Sequence, residues 1–110
     1  MVRNWKSKEK QFREWFEALG LWPATRESTG KRGEDVEDIA WGPFSVEVKT
    51  RKTLPRWLFD WVTQSVHNCD GKLPIVVAHE DYLPMGSQLV VMRLDMFVEL
   101  VSRVHEKESA

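Results

Sequence analysis

The sequence predicts an α/β domain, and three observations predict it. Apolar residues recur at helical spacing near both ends of the 110-residue chain and once near its middle. Between those stretches lie short runs of strand-forming residues, including Ile75-Val76-Val77-Ala78 and Gln88-Leu89-Val90-Val91. At Gly42-Pro43 a two-residue turn signal sits within the stretch Gly33 to Lys49, which reads as two short strands forming a hairpin. The length suits one domain, residues 1–110, with room for a real core and not for a second one.

The first helix is expected from about Asn4 to Leu19, where Trp5, Phe12, Trp15, Phe16 and Leu19 repeat at three, four and seven; Asn4 is a candidate cap and Gly20 the stop. Glu9 falls in line with Trp5, Phe12 and Phe16. A carboxylate on an inward face is costly without a partner. Two readings stay open: Glu9 lies at the edge of the stripe and reaches solvent, or a metal or lysine lies under the helix.

After Leu21-Trp22-Pro23 a short first strand is expected at Ala24-Thr25-Arg26-Glu27. Next comes the small, basic loop Ser28-Thr29-Gly30-Lys31-Arg32-Gly33, which can lay amides, hydroxyls and cations along a phosphate backbone. Exposed turns of no special function have the same look, so the loop gains meaning from its neighbour. That neighbour is the stretch Gly33 to Lys49, read as two strands around Gly42-Pro43. Side chains two apart share a strand face, so Glu47 and Lys49 point together while Phe44, Val46 and Val48 point to the core. Thr50-Arg51-Lys52-Thr53 continues the positive charge; with Lys31 and Arg32 it makes a basic rim, or else it is a solvated strand end.

A second helix is expected from Thr53 and Pro55 to about Asn68, with Leu58, Val62, Ser65 and Cys69 on one stripe and Trp57, Trp61 and Gln64 on its neighbour. Gln64 is placed to turn its amide toward a pocket or DNA, or toward solvent. Trp57, Phe59 and Trp61 suit a subunit interface, although core packing is the stronger expectation for at least two of them. Ile75 to Ala78, apolar throughout, reads as a central strand covered on both faces. Gln88 to Leu94 is the last strand, and Asp95 caps a final helix whose apolar face is Met96, Phe97, Leu100, Val101 and Val104.

Composition narrows the function. The net charge of −1 gives no global nucleic-acid footprint, so any DNA binding rests on local patches. One cysteine excludes an intrachain disulfide and a cysteine-rich zinc site, and His67, His79 and His105 have no paired metal-ligand spacing. No segment has the length or apolarity of a membrane span, and the N-terminus lacks a signal-peptide run, so the expected location is cytoplasmic.

Aspartate, then roughly ten residues, then Glu-x-Lys resembles the signature of the PD-(D/E)XK nuclease superfamily. Within it the chain looks most like the archaeal-type Holliday junction resolvases and their phage relatives. The likeness is carried by the helix with Glu9 ending at Leu19-Gly20-Leu21, by Gly30-Lys31-Arg32-Gly33-Glu34-Asp35-Val36 and by Val46-Glu47-Val48-Lys49. A helix and Pro74-Ile75-Val76-Val77 come next, in the same order. The resemblance implies a restriction-endonuclease-like core, a central mixed sheet of about five strands flanked by helices.

It also implies a site. Asp35 and Glu47, with the backbone carbonyl of Val48, would ligate Mg2+, for which Mn2+ can substitute. Lys49 would orient the attacking water, and Glu9 would complete the acidic cluster through a metal-bound water. Ser28, Thr29, Lys31, Arg32, Arg51, Lys52 and Gln64 would face DNA. Asp38 is the runner-up to Asp35, because a two-residue turn at Gly42-Pro43 pairs Trp41 with Phe44 and sets Asp38 opposite Glu47.

The implied activity is metal-dependent cleavage of four-way DNA junctions by a homodimer, leaving a 5′-phosphate and a 3′-hydroxyl. Another repair or restriction-like nuclease of the superfamily is one alternative, and a non-catalytic DNA-binding module on the same fold is another. Against the module, carboxylates beside phosphates repel and serve no purpose in binding alone. The plainest alternative is an α/β domain whose hairpin carries a Glu47–Lys49 salt bridge.

Overall fold

A computed structural model describes residues 5–26 and 39–109. Among these, three helices and five short strands form an α/β protein in the predicted order: α1 (Trp5–Ala18), β1 (Ala24–Thr25), β2 (Ile39–Trp41), β3 (Phe44–Val46), α2 (Arg56–His67), β4 (Val76–Ala78), β5 (Leu89–Val91) and α3 (Leu94–Ser109). The strands pair as one antiparallel sheet of three, in the order β1-β2-β3, and one antiparallel ladder of β4 with β5. Every ladder among the described residues is antiparallel, whereas the resemblance implies a mixed sheet. Contacts divide the chain into two compact units, Met1–Lys52 and Thr53–Ala110.

The first unit is organised by the hairpin. Gly42 takes φ +55°, which a side chain resists, and Pro43 fixes a negative φ after it, the combination of a II′ turn. Trp41 therefore faces Phe44, and Ile39 faces Val46, as the turn signal predicts. Ile39 and Trp41 point to the same face and are wholly buried.

Trp41 is the hub of an aromatic cluster. Its ring lies 4.7 Å from Phe16 on α1, 5.1 Å edge-on to Trp22 and 5.7 Å stacked on Phe44. Burying a ring of this size contributes about 2–3 kcal/mol, and each well-placed pair adds roughly 1 kcal/mol. The indole Nε1 of Trp41 is buried without a hydrogen-bond partner among the described residues, which costs about 1–3 kcal/mol of that gain.

Helix α1 ends where Gly20 takes φ +76°. Its inward face carries Glu9 and Phe16, both buried, with Phe12 and Leu19 half-buried. Trp15, grouped with that stripe from spacing, is exposed and stands edge-on to Phe16. The Glu17 carboxylate accepts a hydrogen bond from the Ala24 N–H at 3.1 Å, tying the end of α1 to the start of β1.

In the second unit Pro55 is the N-cap and Asn68 the C-cap of α2, close to the predicted ends. The stripe of Leu58, Val62, Ser65 and Cys69 is half-buried, and the Ser65 hydroxyl donates to the Ile75 carbonyl at 3.3 Å. Two expectations fail here. Trp57, Phe59 and Trp61 are all exposed, so none of them is core.

The run from Ile75 is also not covered on both faces: Val76 and Ala78 are half-buried, while Ile75 and Val77 are exposed. β4 packs one face against α2, and alternation turns the other outward. The final helix begins at Leu94, so Asp95 sits in its first turn, where its charge suits the helix dipole, and Arg93 supplies the carbonyl that accepts from Met96 and Phe97. Val101 is buried with Met96 and Phe97 half-buried, whereas Leu100 and Val104 are exposed.

Candidate active site

The sequence-predicted site residues within the described part of the first unit are Glu9, Glu47, Val48, Lys49, Arg51 and Lys52. The hydrogen-bonded strand β3 ends at Val46, three residues short of Lys49, yet the alternation continues past it. Phe44, Val46 and Val48 are half-buried, and Ser45, Glu47 and Lys49 are exposed. Glu47 and Lys49 thus share the solvent side, with Nζ 3.8 Å from the Glu47 Oε2. Their side chains keep 55% and 74% of their surface, so the pair is worth little for stability; both groups stay open to a ligand. Arg51 and Lys52 are exposed next in the chain.

Glu9 has the opposite environment. It is 7% exposed, which overturns the reading that it reaches solvent. Its partner among the described residues is Arg13, one turn on, with Nη1 3.4 Å from Oε1. At that length the contact is a weak hydrogen bond to one of two acceptor oxygens. Arg13 lies four residues after Glu9, a spacing that always faces one helix side, so this partner was readable from sequence and was missed.

Asp35, Asp38, Ser28, Thr29, Lys31 and Arg32 lie outside the described residues. Gln64 belongs to the second unit, exposed on α2 on the same stripe as Trp57 and Trp61. Among the described residues no three histidine, cysteine, aspartate or glutamate side chains form a group able to hold a metal ion.

What the described part can do chemically is specific. A carboxylate and an ammonium under 4 Å apart, both solvent-facing, offer a hard oxygen ligand beside a cation that can hold water or phosphate oxygen. No protein-family model, curated protein or solved structure matches the chain. No helix among the described residues is long and apolar enough to cross a membrane.

Proposed function

We propose that the chain is a metal-dependent, structure-selective endodeoxyribonuclease of the Holliday junction resolvase type, built on a PD-(D/E)XK core. The observation that carries this reading is the Glu47–Lys49 pair: two exposed, oppositely charged groups 3.8 Å apart on the solvent side of an extended segment whose other side is half-buried and apolar.

The donor chemistry suits Mg2+, which takes oxygen ligands and binds through one or two carboxylates. Glu47, the Val48 carbonyl and Asp35, with Asp38 as the second choice, would hold it, and Glu9 would complete the acidic cluster through a water. When bound, the ion supplies Lewis acidity and an acidified water. Lys49 would orient the attacking water by donating a hydrogen bond to it and would steady charge developing on the phosphate oxygens. Ser28, Thr29, Lys31, Arg32, Arg51 and Lys52 take the DNA backbone, and a two-fold dimer presents two equal sites to the two symmetric phosphates of a four-way junction.

The deciding experiment incubates the protein and Glu47→Gln with a labelled four-way junction and a matched linear duplex, with and without magnesium. Paired symmetric cuts in the junction alone, metal-dependent and lost in the variant, are the expected result. Equal cutting of both DNAs keeps the nuclease and removes junction selectivity. Tight junction binding with no cutting by either protein points instead to a non-catalytic binding module.

A further inference from the structure

Two indoles stand side by side on the outer face of α2. Trp57 and Trp61 are 54% and 44% exposed, and their ring centroids are 4.7 Å apart at 56°. Large rings left in water are costly, roughly 25 cal/mol for each Å2 of apolar surface, so a pair held together in the open marks a surface that something covers. Gln64 lies three residues after Trp61 on the same stripe and is also exposed, its amide carrying two donors and an acceptor.

The patch is small. Two half-exposed rings of about 250 Å2 each offer some 250 Å2, against the roughly 800 Å2 per partner of a standard protein interface. Phe59 does not enlarge it, because two positions on a helix turn it to another side. A nucleobase, flat and of the size of one indole, fits such a patch.

Charge points the same way. Lys49, Arg51, Lys52 and Arg56 fall within eight consecutive residues that lead into Trp57; the nearest acids are Glu47 before them and Asp60, which lies between the two tryptophans. On α2 itself Arg56 is paired with Asp60 at 3.7 Å, both exposed, so it can exchange that partner for a phosphate at little cost. A run of cations beside exposed aromatic rings is a combination by which proteins hold single-stranded nucleic acid, the rings stacking on bases and the cations following the backbone.

We infer that Trp57 and Trp61 form a stacking platform for an unpaired base of DNA, with Gln64 placed to hydrogen-bond its edge. This inference rests on the reading of the chain as a DNA-acting protein and adds the part of a branched substrate that it grips: bases freed from pairing.

The test is anisotropy with two labelled strands of equal length, an oligothymidylate of about twenty nucleotides and the same backbone with abasic sites, in EDTA so that nothing is cut. The wild-type protein is expected to bind the thymidylate at least about tenfold tighter than the abasic strand. Trp57→Leu with Trp61→Leu, apolar but without a π-face, removes that preference, and Trp57→Phe with Trp61→Phe keeps most of it.

Equal affinity of the wild type for both strands overturns the inference, as does a leucine variant, folded by circular dichroism, that retains the preference. A leucine variant that turns a dimer into a monomer in sedimentation while still preferring bases assigns the patch to a second copy, and overturns it too. Junction cutting in magnesium is scored separately. A leucine variant that cuts like wild type and shows unchanged base preference sinks the platform alone, while base preference without any cutting sinks the nuclease and leaves the platform standing.

Discussion

Gly42 lies directly against the face of Trp22, so close that a Cβ at position 42 would overlap Cδ2 of that indole. The ring closes over the hairpin turn, and it also meets Trp41 and Phe44. Gly42→Ala therefore faces two costs, a left-handed φ and a backbone-side clash with a large ring. Together they destabilise the protein by about 2–4 kcal/mol, seen as a lower urea midpoint with an unchanged slope. A loss below about 1 kcal/mol would mean that Trp22 moves aside freely.

Trp41 separates packing from hydrogen bonding. Trp41→Ala empties the hub of the cluster and is expected to cost about 3–5 kcal/mol. Trp41→Phe leaves a smaller cavity and removes the unpartnered Nε1–H, so it is expected to cost less than half as much. Similar melting temperatures for the two variants would contradict this.

Glu9 and Arg13 allow a test of whether the buried carboxylate is kept for structure or for chemistry. Arg13→Ala strands the Glu9 charge and is expected to destabilise by about 1–3 kcal/mol, less than a fully enclosed pair because Arg13 is partly open to water. Adding Glu9→Gln to Arg13→Ala should restore most of that loss. If Glu9 serves the reaction, Glu9→Gln alone keeps its stability and loses cleavage by at least about tenfold. Full cleavage by that variant would leave Glu9 a structural residue only.

Glu47 carries little packing, so Glu47→Gln should change stability by less than about 0.5 kcal/mol. In the proposed enzyme it abolishes cutting and preserves or tightens junction binding, since a negative charge beside phosphates is removed. Changing Lys31 and Arg32 together to alanine should instead weaken binding and reduce the slope of log affinity against log salt by about 2. A steeper or unchanged slope would place the phosphate contacts elsewhere.

Gln88 braces the turn before β5 from inside. Its Oε1 accepts from the Glu80 N–H at 2.7 Å, and its Nε2 donates to the carbonyls of Glu80 and Leu83. That bracing accompanies a positive φ at Tyr82, a residue wholly exposed. Gln88→Ala should free the Glu80 amide to exchange about tenfold faster or more, with a loss of about 1–2 kcal/mol. Unchanged exchange at Glu80 would show that the turn holds itself.

Much of this chain is legible in its sequence. The order of helices and strands, the hairpin at Gly42-Pro43 with Trp41 against Phe44, the Pro55 start of α2 and the shared side of Glu47 and Lys49 all come from periodicity and turn chemistry. Those are properties of neighbouring residues, set by 3.6- and 2-residue repeats and by φ preferences. Which apolar residues are covered is a different matter, because a helix with two apolar stripes does not say which one meets the sheet. Only the tertiary structure turned the Leu58–Val62 stripe inward and left Trp57 and Trp61 in water. It likewise gave β4 one open face, buried Glu9 against Arg13 and set Trp22 over Gly42. Burial depends on what distant segments bring to a surface, and pattern along one segment does not encode that.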